Sequence, residues 1–196
     1  DPTSDVKVVV TQNNRTDNAI TNLKPLFVSN NILEYEYNME NVFPGVNEFR
    51  FFETRGIKYP GEGVEEISLH PPLYHATLFA HRIRTQKRYN FYKEMNGAYF
   101  IEALNRQHPD VEADYQFVHF TLPMSNPPLG GGVYVFGQLS NWQCNKSNEM
   151  QWNIERNQYE LTLLLKQGYY NFMYAYKDNE ESIVKCENLE GSFHET

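Results

Sequence analysis

Gly131-Gly132-Val133-Tyr134-Val135-Phe136-Gly137-Gln138-Leu139-Ser140-Asn141-Trp142 is the stretch whose reading decides the fold class. A glycine pair opens a short run in which Val133 and Val135 fall on one side and Tyr134 and Phe136 on the other. That is the period of two an extended chain imposes. The run stops at Gly137 and passes into a polar turn closed by Trp142. Residues 159–165 repeat the pattern, followed by the turn Lys166-Gln167-Gly168 and the aromatic run 169–176. Alternating runs separated by glycine turns predict an antiparallel hairpin sheet with one buried face.

The same alternation extends upstream. Val6-Lys7-Val8-Val9-Val10-Thr11-Gln12 is β-branched and predicts a strand, and residues 13–22 form a polar turn dense in Asn, Thr and Asp. In residues 32–37, Leu33, Tyr35 and Tyr37 alternate with Ile32, Glu34 and Glu36. Val42-Phe43-Pro44-Gly45 predicts a turn shaped by Pro44-Gly45, where Gly45→Val is expected to destabilise the first domain if Gly45 needs positive φ. A strand is predicted over 47–54, with Arg50 pairing at the surface with Glu48 or Glu53. Further strands are predicted at 64–69 and 74–80, on either side of Pro71-Pro72. Asn96-Gly97, between 91–95 and 98–104, is the strongest short hairpin signal in the chain. Residues 105–114 are polar, contain Pro109 and carry Asp110, Glu112 and Asp114, which marks them as a linker. The mildly helical window 78–88 lacks caps. The expected architecture is therefore all-β, with two tandem antiparallel β-sandwich domains over residues 1–112 and 113–196.

Composition narrows the function classes. Aromatic residues make up 15% of the 196-residue chain, enough large rings to fill real cores. Mean hydropathy is −0.64, and no apolar run approaches the roughly 20 residues of a membrane-spanning helix. A formal net charge of −8 argues against nucleic-acid binding, which requires a basic surface to neutralise phosphate. The chain opens at Asp1 without a basic segment followed by an apolar one, so an export signal is expected to have been removed or never present. Cys144 and Cys186 either pair in an oxidising compartment or serve as two unrelated small hydrophobes, and neither fits a zinc spacing.

Catalytic patterns are not expected. His75 and His81 would share a strand face but stand roughly 20 Å apart, too far for a common metal ion. His70 and His108 precede prolines in loop contexts, and His119 reads as a hydrogen-bonded histidine within a strand. The pairs Glu65/Glu66 and Glu180/Glu181 are adjacent, so on a strand their carboxylates face opposite ways. Arg82, Arg84, Lys87 and Arg88 read as a solvated basic loop, against the alternative of a contact for an acidic partner or lipid headgroups. Trp142 is the candidate for stacking on a sugar ring, against core packing beneath its turn, and Trp152 reads as core. No catalytic residue, metal ligand or cofactor is assigned.

Residues 131–176 resemble the early-set immunoglobulin-like domain of glycogen-binding carbohydrate modules. The shared pattern is a strand ending in Gly, a Ser/Asn turn, Trp, a later Met, and a Leu-x-x-Gly-x-Tyr hairpin. The resemblance implies a sugar contact for Trp142. The family's supporting lysine falls near Met173 and its second tryptophan near Glu180, both departures from the pattern.

A second resemblance covers nearly the whole chain. Gln12-Asn13-Asn14-Arg15, Asp17-Asn18-Ala19-Ile20 and Asn41-Val42-Phe43-Pro44-Gly45-Val46-Asn47-Glu48-Phe49-Arg50 are similar to the first domain of the type IX secretion system plug protein family. So are Asp114-Tyr115-Gln116-Phe117-Val118-His119-Phe120, Tyr134-Val135-Phe136-Gly137 and Leu165-Lys166-Gln167-Gly168-Tyr169-Tyr170-Asn171. This resemblance implies the N-terminal portion of a longer, non-enzymatic periplasmic protein of the Bacteroidetes group. Its implied partner is a large outer-membrane β-barrel translocon, whose periplasmic mouth it would close. The alternatives are an α-glucan-binding module centred on Trp142 and an accessory domain of a larger enzyme.

Overall fold

A computed structural model describes residues 5–21, 23–30, 32–35, 42–85, 89, 91, 94–180 and 183–193. The chain is all-β in character and divides into two compact units, residues 1–44 and 45–196. The expected boundary at 112/113 is therefore corrected. Strands from both sides of it pair with one another in the second unit, and the expected linker instead carries a short helix and the buried Ala113.

The first unit is built on short-range contacts. Strands β1 (Phe27–Ser29) and β2 (Ile32–Glu34) form an antiparallel hairpin around Asn30, which takes the left-handed conformation that Asn tolerates in turns. The β-branched run at 6–12 contributes one bridge, Val10 to Ile20, rather than a strand. Arg15 donates to both carboxylate oxygens of Asp17 across the turn, at 3.1 and 2.7 Å. None of its described residues is buried, in keeping with strands too short to cover a core. Of the strand expected at 32–37, residues 32–34 are strand, Tyr35 is not, and 36 and 37 lie outside the described residues.

The second unit is a β-sandwich. Its elements are β3 (Arg50–Glu53), β4 (Val64–His70), β5 (Leu73–Leu78), β6 (Tyr99–Ile101), α1 (Pro109–Glu112), β7 (Tyr115–Pro123) and β8 (Gly131–Phe136), continuing through β9 (Gln151–Asn153), β10 (Gln158–Lys166), β11 (Gly168–Asp178), β12 (Val184–Lys185) and α2 (Glu187–Glu190). One sheet runs β4-β5-β7-β10-β9, and the other gathers β3, β6, β8 and β12 around β11. Both inner faces supply one core. Phe52 meets Phe120 edge-on at 5.6 Å, and Phe120 meets Phe172 edge-on at 5.3 Å, linking the sheets through aromatic rings.

Two pairings differ from the hairpin expectation. β10 and β11, joined only by Gln167, lie in opposite sheets: β10 pairs with β7 and β9, whereas β11 pairs with β8. Period-two alternation is identical for a hairpin and for a chain that changes sheets, because either way one face meets the core. β5 and β7 pair in parallel, which a two-residue turn cannot join. Residues 79–114 supply the long crossover, including β6 in the opposite sheet. At Asn96-Gly97 both residues have positive φ, 53° and 79°, as a tight turn of this type needs. The following strand β6 nevertheless pairs with β11, and the described residues 91, 94 and 95 are not strand. Positive φ occurs at Gly63 and Gly97 in this half of the unit, not at Gly45.

Candidate functional site

At one end of the sandwich, the chain segments beyond β3, β6 and β10 enclose a groove of about 480 Å³, lined by Arg55, Lys58, Tyr59, Leu104, Arg106 and Asp114 among others. Its floor is Gln167, the residue at the corner between the sheets. Gln167 Nε2 donates to Arg55 O at 2.8 Å, and its Oε1 accepts from Asp114 N at 3.1 Å. Its backbone N–H donates to Asp114 O at 2.9 Å, and its carbonyl accepts from Glu102 N at 3.2 Å. One buried amide thus ties together three segments that are remote in sequence. Such a corner needs a side chain with both donor and acceptor, which Gln provides.

Charge is concentrated in this groove. Arg55 is held between Glu53 and Glu102, with 2.8 Å ion pairs to each, and these hydrogen bonds, Glu53 first, raise its pKa further. Lys58 and Arg106 have no carboxylate partner among the described residues and line the same groove as Tyr59, which is 79% exposed. Cations and an exposed aromatic ring in one groove suit a carboxylate-bearing or otherwise polar segment of a partner. In a chain of net charge −8 they make this end electrostatically distinct.

The opposite end carries exposed apolar side chains. Met124 N donates to Asn157 O at 3.1 Å, and Asn179 N to Gly130 O at 2.9 Å, which brings the loops at 124–130 and 154–157 and the chain at Asn179 together. They present Leu129 and Ile154, 90% and 78% exposed, together with Ile183. Beside them a 270 Å³ groove is lined by Ile83, Met124, Pro128, Tyr176 and Leu189.

The residues singled out from sequence fall in several places. Trp142 is half-buried under its turn, edge-on to Phe49 at 6.0 Å and to Phe136 at 5.6 Å. Trp152 packs edge-on against Tyr159 at the margin of the core. Cys144 and Cys186 are half-buried and not joined in a disulfide, and burial pushes the Cys144 thiol up to about 11. His119 hydrogen-bonds across the sheet to Thr162 at 2.9 Å, as a strand histidine should, and also meets His75 at 2.8 Å. His81 is pushed down to about 3, first by burial and then by Arg50. No group of three or more His, Cys, Asp and Glu side chains among the described residues is arranged for a metal ion.

Two polar features escaped the sequence reading. Glu190 is wholly buried and accepts from Arg50 Nε and Nη2, both at 2.9 Å, from Arg84 Nε at 2.5 Å and from Tyr174 N at 2.9 Å. Burial would raise its carboxyl, but Arg50 and Arg84 together hold it below the ordinary range. The expectation of a surface Arg50 paired with Glu48 or Glu53 is corrected, as is that of a solvated Arg84; Arg82 is exposed, and Lys87 and Arg88 lie outside the described residues. Glu94, raised to about 7 chiefly by burial with Glu48 contributing, is the other. Its partners are contributed by turns and by Glu48, positions that no periodicity connects.

The fold and these sites describe a β-sandwich protein with distinct loop surfaces at the two ends of its larger unit. The chain is similar to a hypothetical protein from Parabacteroides merdae ATCC 43184, whose crystal structure matches with a TM-score of 0.92 at 38% sequence identity. The match covers 98% of this chain and 48% of that one, so the chain spans about half the length of that relative. No protein-family model and no curated protein matches.

Proposed function

We propose that this chain is part of a non-enzymatic periplasmic binding protein that plugs or gates a large outer-membrane β-barrel translocon, as its resemblance to the type IX secretion system plug family implies. The observation that carries the binding reading is the gathering, on end loops of one sandwich, of exposed large side chains and of cations without a carboxylate partner among the described residues. Lys58, Tyr59 and Arg106 stand at one end, and Leu129, Ile154 and Ile183 at the other. Loops held by a stiff scaffold are suited to recognition, because ordering them on binding costs little. Alignment to half of a longer relative fits the expectation of a portion of a larger protein.

The test is recovery of tagged full-length protein from detergent-solubilised outer membranes. One giant barrel at near-equal stoichiometry, reduced at least tenfold by Lys58→Glu/Arg106→Glu, is the expected result. Bait alone, from cells that express such a barrel, sets the plug reading aside. Retained recovery in the charge-reversed variant would instead move the contact away from the cationic groove. Titration with soluble α-glucan, comparing the native chain with Trp142→Ala, tests the carbohydrate-binding alternative in the same preparation.

A further inference from the structure

On the outer face of the first sheet, two imidazoles meet nitrogen to nitrogen. The parallel register of β5 and β7 sets His75 opposite Phe117 and Thr77 opposite His119, so His75 and His119 are diagonal neighbours on one face. His75 Nδ1 and His119 Nε2 lie 2.8 Å apart, with ring centroids separated by 5.0 Å. On the far side of His119, Nδ1 bonds Thr162 Oγ1 at 2.9 Å. The His70 ring, at the end of edge strand β4, is 4.8 Å from His75, and its Nε2 bonds Ser68 Oγ at 3.1 Å.

We propose that His75 and His119 form a two-histidine site for a divalent first-row transition cation of the zinc, nickel or copper type. Water or a partner's ligand would complete the coordination. The ring spacing is the first argument. Two imidazoles bound tetrahedrally at zinc need their nitrogens about 3.3 Å apart and their centroids about 5.2 Å apart. The centroids already stand near that separation, so each ring need only tilt. The second argument is the Thr162 hydroxyl. When it accepts the Nδ1–H of His119, Nε2 keeps its lone pair facing His75, the outer-shell arrangement that orients metal-bound histidines. Imidazole pairs favour these cations over calcium or magnesium, which take oxygen donors. The proton balance is simple. His75 moves its single N–H from Nδ1 to Nε2, which frees Nδ1 for the metal without net proton release. Glu66, paired with Thr77 on the same face, adds negative charge beside the site.

The test is calorimetric titration of the full chain with zinc chloride, and separately with nickel chloride, in non-coordinating buffer. One equivalent should bind, with affinity reduced at least tenfold in His75→Asn and in His119→Asn, and about tenfold in Thr162→Val. His108→Asn, on an exposed loop, should leave affinity unchanged. Nickel should also broaden the imidazole NMR signals of His75 and His119 before those of the other histidines, a readout on the native chain that is independent of how the variants fold. Equal affinity and stoichiometry in the native chain and the His75→Asn/His119→Asn variant would overturn the proposal, as would no binding by the native chain.

Discussion

Glu190 is the residue on which the larger unit closes. Its carboxylate joins Arg50 of β3, Arg84 of the segment after β5, and the backbone of Tyr174 at the centre of β11. The Arg50 guanidinium also lies 5.1 Å from the Tyr174 ring centroid, and both arginines donate onward to carbonyls, of Arg82 and Glu48. Breaking a buried ionic cluster by removing one charge costs far more than the cluster contributes net, since it leaves the remaining charges uncompensated. Glu190→Gln should therefore destabilise the chain by about 3–5 kcal/mol. Urea unfolding monitored by tryptophan fluorescence reads this directly, and a loss below about 1 kcal/mol would show the carboxylate to be dispensable. Nothing near Arg50 in sequence announces this role, because its partner lies 140 residues away. Local reading supplies Glu48 and Glu53 as candidates and has no means of seeing α2.

At the scale of elements, β11 organises the second sheet, with β8 along one stretch and β3, β6 and β12 along others. The run of rings at 169–176 made this strand legible, since alternation between Tyr170, Phe172 and Tyr174 places large rings on one face. The Asn96-Gly97 turn was legible for the same local reason, while the packing on it was not. At Gly97, φ is +79°, and an added Cβ would overlap Trp142 Cη2 and Phe49 Cε1. Gly97→Ala is thus expected to cost more than about 1 kcal/mol, from the left-handed backbone and overpacking together. Thermal melts of the two chains check it, and an unchanged Tm would mean that the Trp142 turn yields freely. The same geometry accounts for Trp142 as a ring wedged between a turn and two phenyl edges.

For the molecule as a whole, the division at 44/45 makes a prediction that a division at 112/113 contradicts. Residues 45–196 contain both sheets and their shared core, so this fragment should fold alone and unfold in one cooperative transition. Fragments 1–112 and 113–196 should each lack a complete sheet, because β5 would lose β7 and β11 would lose β3 and β6. Circular dichroism and calorimetry on the three fragments decide between the two divisions. A folded 113–196 fragment with a sharp transition would restore the earlier boundary. The linker reading rests on polar composition at 105–114, but that segment carries a short helix and its last residue, Asp114, exchanges two hydrogen bonds with Gln167 at the corner between the sheets.

What the amino-acid sequence determines by itself is local: extended segments, the face each one buries, the tight turns, and hence an all-β chain with aromatic cores. These properties depend on neighbours within a few positions, where side-chain alternation and backbone preference act. Which strands pair, where the chain changes sheets, and which charges meet inside were decided only by tertiary structure. Residues from distant parts of the chain must be brought together before Glu190 finds two arginines, or before His75 on β5 faces His119 on β7. No spacing along the chain encodes those encounters, because they arise from a parallel crossover and from the closing of two sheets over one core.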